Sequence, residues 1–148
     1  MQKIKSFEYL VKRLLEWYKE LNPTLEKNDL NRLKVLKLHF FVSAVNASAE
    51  NDGLLDIFNN FYAMPYGHVE SDIYSNIENF ENMKIDRDGL LLNEYASNYF
   101  DDVAELIPRI DDSIKSLKQI NNNLINHKAL DLVNLSHSWY SWRLVFNY

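Results

Sequence analysis

The chain has no cysteine, which excludes a disulfide framework and all thiolate chemistry. Glycine is almost as scarce, with three residues standing alone at 53, 67 and 89. A glycine-rich phosphate loop needs several glycines within a few positions, so none can be built here. Three prolines leave few fixed stops for helices. Long apolar runs are missing too. The longest, near Phe40 to Val45, is short and interrupted, far below a membrane-spanning length. The opening stretch MQKIKSFEYLVKRLLEWYKEL mixes charges into its apolar positions, unlike a signal-peptide core or a membrane span. No membrane association and a cytoplasmic location are therefore expected.

What is present suffices for one hydrophobic core. The 148 residues are 47% apolar and 14% aromatic, which fits a single domain that folds without staples. The net charge of −5 is unevenly spread. Residues 1–40 carry nine Lys/Arg against five Asp/Glu, residues 41–112 three against fifteen, and residues 113–148 four against one. So acidic a middle argues against nucleic-acid binding and suits either solvated helix faces or a basic protein partner. With a basic partner, association should weaken as salt rises.

The pattern is mainly helical. Ile4, Phe7, Leu10, Val11, Leu14, Leu15, Tyr18 and Leu21 recur at one-face helical spacing, and Asn22-Pro23 should stop that helix. Asn28 or Asp29 is expected to cap a second helix running to about Ala47. That helix is apolar all round, so it should be the central one. A short helix is expected over Leu54–Phe61, and another over about Val69–Phe80 from Val69, Ile73, Ile77 and Phe80. Residues 84–92 should form a small β-hairpin. Asn93 is a plausible cap for a helix carrying Tyr95, Tyr99, Phe100, Val103 and Leu106. Pro108 fits the first turn of the next, which carries Ile110 through Ile125. A short helix over Lys128–Leu135 leads into SHSWYSW. The expected fold is a compact single-domain helical bundle over residues 1–148, with a short hairpin around 84–92.

Catalytic and metal signatures are missing. The four histidines are His39, His68, His127 and His137. Only His68-x-Glu70-x-Asp72 approaches a ligand spacing, and on a helix those three side chains would not share a face. A polar helix start, with Glu70 set against the helix dipole, accounts for it. Ser136-His137 are neighbours in sequence, which does not make a base–nucleophile pair, and a buried hydrogen-bonded Ser-His at a helix start is expected. Asp101-Asp102 and Asp111-Asp112 fall on charged helix faces. No enzyme activity, cofactor or metal is expected. Aromatics crowd two places: Tyr62, Tyr66 and Tyr74, and the final stretch from Trp139 to Tyr148. Such clusters close over a core more often than they form a binding face.

Three blocks together resemble the Panacea domain, the SocA-like or GepA-like antitoxin family. They are RLKVLKLHFFVSA (Arg32 to Ala44), FYAMPYGHVESDIY (Phe61 to Tyr74) and LVNLSHSWYSW (Leu132 to Trp142). Leu36, Lys37, Leu38, Phe40 and Phe41 match the family's first motif. Tyr66, Gly67, Val69, Ile73 and Tyr74 match the second, and Leu135, Ser136, His137 and Trp142 the third. His68 stands where the family usually has proline. The resemblance spans about residues 30–142 and leaves the first amphipathic helix outside it. It implies an antitoxin that neutralises a cognate toxin, encoded by an adjacent gene, through direct contact. The alternative is a proteolytic adaptor serving a Clp-type protease, or a prophage-derived regulatory scaffold. The motif residues, and candidate partner-binding positions, are Tyr62, Pro65, Tyr66, Gly67, His68, Val69, Tyr74, Ser136, His137 and Trp142. Pro65 and Gly67 are expected to shape a turn into a helix from Val69, braced by Tyr66 and Tyr74.

Overall fold

The structure, a computed structural model, describes residues 2–64 and 67–147, with side chains described up to residue 138. The fold is mainly α. Helix α1, Gln2–Leu21, turns Phe7, Leu10, Val11, Leu14, Trp17 and Tyr18 inward. It ends where the sequence expects, before Pro23. Asn22 donates to the Tyr18 carbonyl through both its backbone N (3.0 Å) and its Nδ2 (2.9 Å).

Helix α2, Arg32–Ala44, is buried along its whole length from Lys34 and packs on α1, α4, α5 and β2, so it is the central helix. Its cap is Asn31, which accepts from Lys34 N at 2.9 Å, and it stops at Ala44. The expected cap at Asn28 or Asp29 is thus displaced, because both side chains have other partners. Asn28 Oδ1 accepts from Leu30 N and Leu90 N, and its Nδ2 donates to Leu90 O, each at 3.0 Å. Asp29 pairs with Lys34 at 2.7 Å.

Two expected helices are replaced. Over Leu54–Phe61 the chain makes only turns, although Phe58 N does bond Leu54 O at 2.9 Å and buries both side chains. It then extends into strand β1, Phe61–Met64. The expected helix over Val69–Phe80 shrinks to α3, Ser71–Asn76, preceded by strand β2, Gly67–Glu70. β1 and β2 are antiparallel, with Tyr62 opposite Val69 and Ala63 opposite His68. Glu70 decides where the strand ends. Its fully buried carboxylate accepts from Asp72 N (2.8 Å) and Ile73 N (3.2 Å), capping α3, and from Asn60 N (3.0 Å) on the incoming chain. Lys3 neutralises it at 2.9 Å. An N-cap residue must be extended, so helix cannot begin before Ser71.

The hairpin around 84–92 forms from β3, Met83–Ile85, and β4, Leu90–Leu92. Its turn is held by Asp86 Oδ1, which accepts from Asp88 N and Gly89 N. The expected helix after Asn93 is absent. That stretch is extended and turn-like, with one 3-10 turn at Asp101–Val103. The Tyr95 and Tyr99 hydroxyls are tied to Glu8 on α1 at 3.2 and 2.7 Å, and Tyr95, Tyr99 and Phe100 pack ring on ring. These tethers override helix propensity.

Helix α4, Ile107–Ile120, carries Pro108 in its first turn and buries Ile110, Ser113, Ile114 and Leu117. It does not continue to Ile125. Asn121 is extended (φ −156, ψ 92) and caps a separate 3-10 helix, Asn122–Asn126, whose Leu124 and Ile125 enter the core. Helix α5, Ala129–Asn147, is much longer than the expected Lys128–Leu135, since neither glycine nor proline interrupts it. Among the described residues, no helix is long and apolar enough to cross a membrane.

Candidate functional site

Three segments remote in sequence meet at Gly67. From α2 comes Lys37, wholly buried, whose Nζ donates to the His68 carbonyl at 3.1 Å. From α5 comes Ser136, also wholly buried, whose Oγ donates to Val133 O at 2.8 Å. Between them lies Gly67 at φ +103. A Cβ there would sit 2.7 Å from Lys37 Nζ and 2.8 Å from Ser136 Oγ. Glycine is required twice over, for the positive φ and for the closeness of two polar side chains.

The Lys37 bond has a topological effect. In an antiparallel pair, alternate residues turn their N–H and C=O outward. The Ser71 N to Asn60 O bond (2.8 Å) sets the phase, so His68 faces away from β1. Lys37 therefore closes the outer edge of β2. Burial pushes its pKa down to about 8. Among the described residues no carboxylate pairs with it, whereas Lys34, one turn earlier and equally buried, has Asp29. Burial also lowers the Lys34 pKa, against the opposing pull of Asp29.

His68 stacks on Phe40, with centroids 4.9 Å apart and planes at 16°. Burial, then the positive charges of Lys37 and His137, lower its pKa. Lys37 and His137 thus bring positive charge near a His68 ring that lies on Phe40. The Ser136 proton is committed to a helix carbonyl. What these groups do is tie the hairpin to α2, through the Lys37 bond and the His68–Phe40 stack.

The structure separates the remaining predicted residues. Val69 is buried, while Tyr62 on β1 and Tyr74 on α3 are half exposed. Pro65 and Tyr66 lie outside the described residues, as does the Trp142 side chain. The expected buried Ser-His at a helix start is corrected: Ser136 lies within α5, and His137 is exposed. His68 does not join Glu70 and Asp72: it stacks on Phe40, while the two carboxylates share Lys3, at 2.9 and 2.6 Å, and Glu70 also caps α3. Among the described residues no group of three His, Cys, Asp or Glu is placed to hold a metal.

Two buried polar groups differ from expectation: His39 stood only as one of four histidines, and helical spacing in α1 leaves Glu8 for the wet side, yet both are buried. His39 is fully enclosed by Phe7, Phe58 and Phe61, its centroid 4.9, 4.3 and 5.4 Å from theirs. Its place in a helix apolar on all sides was the available signal. Glu8, nearly fully buried, had none, since its tyrosine partners come from a distant loop. No family model, curated protein or solved structure matches this chain.

Proposed function

We propose that the chain is an antitoxin-type binding protein with a Panacea-like domain over about residues 30–142, acting in the cytoplasm by direct contact with a cognate toxin. The observation that carries this reading is the meeting of the three resemblance blocks at one point. Lys37 of the first, Gly67 and His68 of the second and Ser136 of the third are packed together. Motif positions that specify one shared fold are expected to do this, whereas chance matches would scatter. The helices around α2 are read as a bundle, since α2 has α1, α4 and α5 against it.

The test is co-expression with the adjacent open reading frame. The neighbour should be toxic alone, harmless beside this chain, and should co-purify with it. A neighbour that is harmless alone and does not co-purify sinks the proposal. Because fifteen acidic residues lie within 41–112, the complex should loosen as salt rises.

A further inference from the structure

We propose that β1 is a self-pairing edge through which two copies of this chain join, antiparallel about a two-fold axis, into a four-stranded sheet. The phase that turns His68 away from β1 turns Phe61 and Ala63 away from β2. Their N–H and C=O groups point off the open side of the sheet and have no backbone partner among the described residues. The two outward residues are two positions apart, so the strand is complementary to its own reverse. With Tyr62 opposite Tyr62 of the second copy, Phe61 of each chain exchanges a pair of hydrogen bonds with Ala63 of the other.

The side chains suit this join. Tyr62 is 56% exposed and Met64 43%. From Ile57 to Val69 there is no Asp, Glu, Lys or Arg, although the chain is 25% charged and carries −5 overall. Two copies can therefore meet here without opposing like charges. Edge strands are commonly guarded by a charge or a proline. The described residues of β1, Phe61–Met64, include neither. Lys37 already holds the outward carbonyl of β2, and α2 and α5 pack against that strand, which leaves β1 as the open edge among the described residues. Four residues per copy bury less than the roughly 1,200 Å² at which standard interfaces begin, so the dimer should be weak, and a dissociation constant on the order of 100 μM is the expectation to test.

Analytical ultracentrifugation of the purified chain, from about 10 μM to about 1 mM, spans that constant. The weight-average mass should climb from monomer towards dimer. Ala63→Pro removes an N–H that points outward and is not used within the hairpin, and Ala63→Asp sets two charges against each other. Each should weaken association about tenfold or more, with the circular dichroism spectrum retained. In a chain without cysteine, Tyr62→Cys places one thiol where the two strands cross at a Cα separation of about 4.5 Å. It should oxidise to a disulfide dimer. A chain that stays monomeric to about 1 mM, or a dimer indifferent to both Ala63 variants, overturns the proposal. So does a monomer whose β1 is instead taken up by a co-expressed neighbour.

Discussion

Acid should destabilise this protein through His39, and the structure sets how steeply. The ring is fully buried among Phe7, Phe58 and Phe61, and neither ring nitrogen has a hydrogen-bond partner among the described residues. Burial, with a smaller contribution from the Lys3 charge, lowers its pKa to about 3 from an ordinary 6.5. Above pH 6.5 the ring is neutral whether the chain is folded or not, and pH has no hold on it. Below that, the unfolded chain takes a proton that the folded chain refuses. Stability then falls by about 1.4 kcal/mol per pH unit until the folded ring itself titrates. By about pH 4.5 the loss is about 2.7 kcal/mol, a large share of a typical folding free energy of roughly 5–15 kcal/mol. Urea unfolding of wild type and His39→Phe, at about pH 7 and about pH 4.5, isolates the effect, because the carboxylates titrate in both proteins. The variant keeps the aromatic cluster and loses two unpaired ring nitrogens, so at neutral pH it should be at least as stable. Its advantage should then grow by about 2–3 kcal/mol at the acid pH. A difference between the two proteins that does not change with pH would refute the reasoning.

Further expectations concern other buried groups. Gly67→Ala drives a methyl against Lys37 Nζ and Ser136 Oγ at a positive φ, and should cost about 1–3 kcal/mol in urea unfolding; an unchanged midpoint would show that the three groups do not meet. Asn28→Ala removes two hydrogen bonds that tie β4, at Leu90, to the chain before α2, and a third, local one from Leu30 N. It should cost about 2 kcal/mol, with amide exchange quickening first at Leu90. Burial raises the Glu8 pKa despite hydroxyl bonds from Tyr99 and Tyr95, so stability is lost as pH rises from 4.5 through the raised folded value. Glu8→Gln should therefore gain thermal stability on wild type as pH increases through that window, and parallel melting curves would contradict this.

Helices α1 and α4 were legible because one face of each meets the core, and Asn22-Pro23 and Pro108 marked a stop and a start. The centrality of α2 was legible from its apolar residues on every side. The 84–92 hairpin was legible from a local turn, Asp86 to Gly89. The β1–β2 hairpin was not, because Val69, Ile73 and Ile77 fit helical spacing equally well. The choice is made by Glu70 capping α3, by Asn60 meeting Ser71, and by Lys37 reaching the His68 carbonyl. At the candidate site, Gly67 and Ser136 were marked by the resemblance. Nothing in the sequence showed that Lys37 would be buried, with no carboxylate against it among the described residues, since a helical lysine ordinarily faces water. The loop over residues 93–103 misled for a related reason, as its tyrosines are held by Glu8 from the far end of the chain.

The closure of Gly67 by Ser136 also bears on how the chain is made. One wall of the hairpin, Lys37, is synthesised before it; the other, Ser136 on α5, follows only after α3, α4 and both hairpins have been made. Contacts between positions so far apart in sequence form late. Until α5 arrives, the uncharged stretch from Ile57 to Val69 has lost one of its two supports, and it is the segment through which unfinished chains would adhere to one another. Helix α5 thus sets the moment at which this stretch narrows from a generally adhesive surface to the one edge of β1.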